Sequence, residues 1–96
     1  MTDPISAMLL DDSVELSLTE LCNACRVSEE LVVDIVAEGI VEPLGKERTQ
    51  WRFTGVAVAR IQRVVRLQHE FDVNLPGAAL ALELLEEIER LRRAQR

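Results

Sequence analysis

Cys22 and Cys25 stand three residues apart, the spacing at which two thiols can act as redox partners or as half of a metal site. Redox chemistry needs a lowered thiol pKa, typically at a helix N-terminus. The Cys22-Asn23-Ala24-Cys25 run instead falls within a helical stretch. A structural zinc needs four ligands, yet there is no second cysteine pair, and the single histidine, His69, lies far along the chain. The pair is therefore expected to be two reduced, core-facing thiols, since i, i+3 helix positions do not suit a disulfide. His69 has no Ser or Cys partner in a nucleophilic arrangement, and no glycine-rich phosphate loop is present. The expectation is a protein without catalysis, metal, cofactor or small-molecule substrate.

Charge is more informative. The chain carries a net −6, unevenly spread: residues 1–45 hold ten acids against Arg26 alone, a balance of −9, whereas residues 46–96 hold seven acids and ten bases, a balance of +3. An acidic first half repels a phosphate backbone and suits a basic protein partner.

These side chains must be positioned by a small, mainly α fold. Ninety-six residues, 48% apolar and 3% aromatic, allow one core of Leu, Val, Ile and Ala, which suits packed helices. Met8-Leu9-Leu10 is too short and acid-flanked for a signal segment, and no apolar run spans a bilayer, so a cytoplasmic, membrane-free protein is expected. Residues 1–13 read as a flexible lead-in and 14–96 as a single domain. Val14, Leu16 and Leu18 alternate as a short strand, and Ser17-Leu18-Thr19-Glu20 is a capping box opening a first helix that ends near Arg26. After an Arg26-Val27 turn, Ser28 caps a second helix stopped by Gly39 and Pro43. Two helices across a tight turn make a helix-turn-helix. Glu42 to Phe53, turning at Gly45-Lys46-Glu47-Arg48, reads as a hairpin, or wing, with Trp51 and Phe53 beneath it; residues 14–53 thus form the helix-turn-helix plus wing. A third helix spans 55–71, its core face drawn through Ala57, Ile61, Val64, Val65, Gln68 and Phe71. Asn74 caps a terminal helix over 74–96, with Pro76 in its first turn.

Three surfaces emerge. On the second helix Leu31, Val32, Ile35 and Val36 face the core, while Glu30, Val33, Asp34 and Ala37, flanked by Glu29 and Glu38, form an apolar centre in an acidic rim without a Lys or Arg. This side is read either as a docking surface for a basic helix, steered by charge and anchored by Val33 and Ala37, or as a solvated acidic face. Arg48, Arg52, Arg60, Arg63 and Arg66, the last three lining the outer side of the third helix with Glu70, could form a nucleic-acid patch but are read as solvated or paired with Glu70 and the acidic first half, with a secondary surface for acidic groups on the partner as a further alternative. On the terminal helix Leu84, Ile88 and Leu91 continue an apolar stripe, suggesting a homodimer seam. Antiparallel helices would set Glu83, Glu86 and Glu87 against Arg90, Arg92 and Arg93; the other reading folds the stripe onto the third helix.

The order of helix, turn, helix ending in Gly39-Ile40-Val41-Glu42-Pro43, wing, long helix and terminal helix resembles the MerR group of winged helix-turn-helix proteins. More narrowly, Ser28-Glu29-Glu30-Leu31, Val41-Glu42-Pro43, Trp51, Arg63-Val64-Val65-Arg66-Leu67, His69-Glu70 and Pro76-Gly77 are similar in order and spacing to CbpM-type chaperone modulators over roughly residues 14–92. The resemblance implies a MerR-like winged helix-turn-helix with a small β wing and a C-terminal dimerisation helix. It also implies binding to the J domain of a CbpA-type, DnaJ-like co-chaperone, in competition with DnaK. The alternative is a MerR-like DNA-binding transcriptional regulator. DNA-binding members present Arg and Tyr to phosphates early in the second helix, where this chain has Val33-Asp34-Ile35, so DNA is not the expected partner.

Overall fold

A computed structural model describes residues 14–95, and the expected lead-in over 1–13 lies outside the described residues. Strand β1 (Glu15–Ser17) runs directly into helix α1 (Leu18–Cys25), followed by α2 (Glu29–Ala37), a 3-10 turn (Arg48–Gln50), β2 (Arg52–Thr54), α3 (Gly55–Phe71) and α4 (Leu75–Ala94). The architecture is mainly helical with one small antiparallel sheet. The described residues fall into two compact units that divide between Gln62 and Arg63, within α3.

In the first unit, local chemistry sets each boundary. The Ser17 hydroxyl accepts the Glu20 N–H at 3.2 Å and the Glu20 carboxylate accepts the Ser17 N–H at 2.9 Å, completing the capping box. Arg26 closes α1 in the left-handed conformation, φ 57°, with its N–H on the Cys22 carbonyl. The Ser28 hydroxyl then accepts the Leu31 N–H at 3.1 Å and opens α2, whose first turn carries Glu29 and Glu30 at the positive helix pole. At the far end the Gly39 N–H reaches the Val36 carbonyl at 2.9 Å and the Ile40 N–H reaches Ile35 at 3.2 Å, a Schellman closure that requires φ +77° at Gly39.

The wing differs from the expected hairpin. β2 pairs with β1 in the register Glu15 to Thr54, Leu16 to Phe53 and Ser17 to Arg52; its link to the preceding chain is a single Leu44–Arg52 bridge. The reason lies in the intervening turn. Gly45 at φ +96° and the 3-10 turn consume the residues that would have extended the hairpin's first arm. Leu16 and Phe53, opposite one another, both point inward, with Leu21, Val32, Ile35 and Ile61 fully buried in the same unit. Phe53 is fully buried, and half-buried Trp51 meets it edge-on at 6.1 Å.

The second unit holds the end of α3 and all of α4. The Asn74 side chain accepts the Gly77 N–H at 2.8 Å and Pro76 occupies the first turn, where its missing N–H costs nothing. Val64, Ala78 and Leu82 are its buried residues. Phe71, expected on the core face of α3, is 66% exposed: the helix ends there, and Asp72 turns the chain away at φ 51° before α4 begins. Val65 and Gln68 are only half-buried. No helix among the described residues is long and apolar enough to cross a membrane.

Candidate functional site

Helix α2 is anchored by Val32 and Ile35, both fully buried, with Leu31 and Val36 half-buried beside them. That fixes what faces outward. Glu29, Glu30, Asp34, Ala37 and Glu38 are exposed, and Val33 is half-buried among them, so the apolar centre and acidic rim lie on one surface. Glu30, Asp34 and Glu38 make no ion pair with the described residues. Glu29 is different. Its carboxylate accepts a hydrogen bond from the Arg48 guanidinium at 3.1 Å, which ties the wing turn to the start of α2 and neutralises one corner of the rim. Sequence reasoning missed this pair because the two residues are nineteen positions apart and belong to different elements. Beside the pair is an open hollow of about 290 Å³, lined by Ser17, Leu18, Thr19 and Thr49 in addition to Glu29 and Arg48.

The arginines of α3 differ in their surroundings. Arg60 donates to the Ile40 carbonyl at 2.6 Å and so holds the segment that leaves α2. Arg63 pairs with Glu89 at 2.7 Å, rather than with Glu70, and Arg66 is the exposed one of the three. In the wing, Arg52 stands 4.0 Å from Glu20.

Cys22 and Cys25 occupy the last turn of α1, half-buried and unbonded. Burial pushes both thiols up from their ordinary range, aided at Cys22 by the nearby Glu29 carboxylate against the opposing pull of Arg48. A raised pKa leaves less thiolate at neutral pH, the opposite of an activated redox pair. Among the described residues no cluster of three or more His, Cys, Asp or Glu side chains could hold a metal ion.

On α4, Leu84, Ile88 and Leu91 are 55%, 45% and 48% exposed, and the stripe begins a turn earlier than expected, at Leu80. Glu87 and Arg90, expected to face opposite charges on a second helix, pair with each other within the same helix, the Arg90 Nε–H donating to the carboxylate at 3.0 Å. The guanidinium holds the Glu87 carboxyl below the ordinary glutamate range.

A helix-turn-helix closed by these caps, followed by a strand and a long helix, is matched by the family model of MerR HTH family regulatory proteins over residues 16–96. Proteins named chaperone modulatory protein CbpM match across nearly the same span. The one from Pseudomonas entomophila is 43% identical over 79 residues, 82% of this chain and 78% of its own. One from Salmonella paratyphi A is 40% identical, covering 88% and 83%, and one from Coxiella burnetii is 31% identical, covering 91% and 82%. The chain belongs to the MerR helix-turn-helix family, in its CbpM branch. In this CbpM-type chain the outward side of the second helix-turn-helix helix carries three carboxylates without an ion pair among the described residues, where a reader of DNA needs cations.

Proposed function

We propose that the chain restrains a DnaJ-like co-chaperone of the CbpA type by seating the outward face of α2 on the basic helix of its J domain, in competition with DnaK. The observation that carries this reading is the face itself: Glu30, Asp34 and Glu38 stand exposed around Val33 and Ala37, without counterions among the described residues. An acid at the C-cap, with no base in the last turn, works against the helix dipole, so Glu38 is placed at the helix's expense rather than for its stability. Rim carboxylates of this kind accelerate encounter with a basic partner and exclude phosphate, while a small apolar centre supplies desolvated contact. The relatives' name, chaperone modulatory protein, supports a chaperone-related partner. Two further parts complete the proposal. Leu84, Ile88 and Leu91 form a homodimer seam, and exposed Arg66, together with Arg60 and Arg63, offers a secondary surface to acidic groups.

Calorimetric titration of the chain against an isolated CbpA-type J domain, repeated with DnaK present, is the test. Saturable binding that DnaK weakens is expected. Absence of heat at tens of micromolar, or a salt-sensitive complex with duplex DNA instead, overturns the reading.

A further inference from the structure

The acidic face of α2 changes along the helix axis. Glu29, Val33 and Ala37 follow one another at i, i+4 spacing, and Glu30, Asp34 and Glu38 form the row beside them. At the N-terminal end the Glu29 carboxylate is paired with Arg48 of the 3-10 turn at 3.1 Å, and Glu30 shares the positive helix pole. At the other end Glu38 stands at the C-cap with no base in the last turn, where the pole is negative. Negative charge therefore rises from the Arg48 end to the Glu38 end, over about 13.5 Å of helix. Apart from the pair itself, the open hollow of about 290 Å³ beside Arg48 is lined by Ser17, Leu18, Thr19 and Thr49, all uncharged.

We propose that Arg48 sets the direction in which a basic helix lies on α2, with the base-rich end of that helix over Asp34 and Glu38 and its base-poor end over the Glu29–Arg48 pair and the hollow. This rests on α2 being the face that meets a basic helix, and it names the residue that orients the partner. A lysine placed over Glu29 meets Arg48 at the same time, so attraction and repulsion nearly cancel. A lysine placed over Glu38 meets a carboxylate and the negative pole together. The hollow favours the same direction, because uncharged side chains seat against its hydroxyls and Leu18 without stripping water from a charge. Arg48 is a positioning residue of the face: the Arg48 and Glu29 side chains are 50% and 53% exposed, so their pair contributes little to folding and acts on the charge pattern that a partner meets.

The probe is an amphipathic peptide helix with three lysines in its C-terminal half, none in its N-terminal half, and a nitroxide at its N-terminus, added to the full, isotope-labelled chain. Paramagnetic broadening falls steeply with distance, so the amide signals that fade report where the base-poor end sits. Those of Arg48, Thr49 and Gln50 are expected to fade at least about fivefold more than those of Glu38, Gly39 and Ile40. Arg48→Gln unmasks Glu29 and lowers that ratio, and Arg48→Glu, which puts a second carboxylate beside Glu29, brings it to about one. Fading centred on Glu38 to Ile40 in the wild type, or a ratio that Arg48→Glu leaves unchanged, overturns the proposal while α2 remains the docking face. Fading away from both ends of α2, or none at all, removes α2 from the contact and the proposal with it.

Discussion

Reversing the unpaired acids of α2 together, as Glu30→Lys, Asp34→Lys and Glu38→Lys, tests whether this face meets a basic helix, and the change is constructed to leave folding nearly untouched. All three side chains are exposed and without ion pairs among the described residues. Glu30 sits in the first turn, where lysine opposes the helix dipole by about 0.3–1 kcal/mol; Glu38 sits at the C-cap, where lysine returns a similar amount. Asp34 lies between the poles, so the melting midpoint stays within a few degrees. Binding responds differently. An exposed ion pair contributes about 0.2–1 kcal/mol, and reversal replaces that attraction with repulsion of like size, or roughly 1 kcal/mol per site. Three sites give about 3 kcal/mol, roughly a hundredfold in Kd at low salt. Raising salt to about 1 M shortens the Debye length to about 3 Å and shrinks the loss to severalfold. Val33→Ala is the counterpart: it removes apolar contact from a half-buried centre, costs about 1 kcal/mol, and does so equally at both salt concentrations. Calorimetry against the J domain at about 50 mM and 1 M salt reads all of this. Equal affinity of the wild type and the triple variant at low salt removes α2 from the interface; a loss undiminished by salt refutes the electrostatic argument even if α2 is the contact.

Ser17→Ala removes the hydroxyl half of the capping box and is expected to cost about 1 kcal/mol, seen as a melting midpoint lower by about 4–8 °C. The backbone N–H of Ser17 holds the Glu20 carboxyl below its ordinary range, so its contribution is complete above the unfolded pKa and disappears as pH falls through the folded one. Acid melting should therefore be shallower in Glu20→Gln than in the wild type. Phe53→Ala empties a fully buried site and is expected to cost about 3–5 kcal/mol, enough to show as partial unfolding at 37 °C by circular dichroism. Leu84→Glu with Ile88→Glu should leave a monomer by light scattering at concentrations where the wild type has twice that mass; a wild type already monomeric at tens of micromolar ends the dimer proposal. Because burial raises both thiols, alkylation of Cys22 and Cys25 by iodoacetamide should be slower at neutral pH than that of a free cysteine, and should accelerate on unfolding.

The parts of this molecule that could be read in advance are those governed by interactions three or four residues long. Ser17, Ser28 and Asn74 each cap a helix through the N–H three positions on, and Gly39 ends α2 because a left-handed residue was required there. The acidic side of α2 followed from helical period alone, once Val32 and Ile35 were assigned to the core. What escaped was non-local. Pairing of β2 with β1 joins segments separated by two helices, and nothing in the alternation of Trp51 and Phe53 says whether their strand turns back on Leu44 or reaches across to Leu16. The same holds for Arg48 on Glu29 and Arg63 on Glu89, contacts of nineteen and twenty-six residues. Phe71 fell on the expected face of an ideal helix, but periodicity does not know where the helix ends or which neighbours reach its last turn.

This division between local and non-local contacts bears on how a helix-turn-helix can change its partner. Both ends of α2 are fixed by their own caps, and its inner side is held by two fully buried aliphatics, so folding makes almost no demand on positions 30, 34, 37 and 38. An exposed helix position tolerates Lys, Arg, Glu or Gln within a few tenths of a kcal/mol of intrinsic preference. The identity of the outward side chains is then free to be set by binding alone. Four cations there would release counterions from a phosphate backbone; carboxylates around a small apolar centre give up that term entirely and gain the complementary attraction to a basic helix. A change of partner class therefore needs no change in the core, the caps or the turn. It needs only a change of sign on one side of one helix, and in this chain that sign is negative.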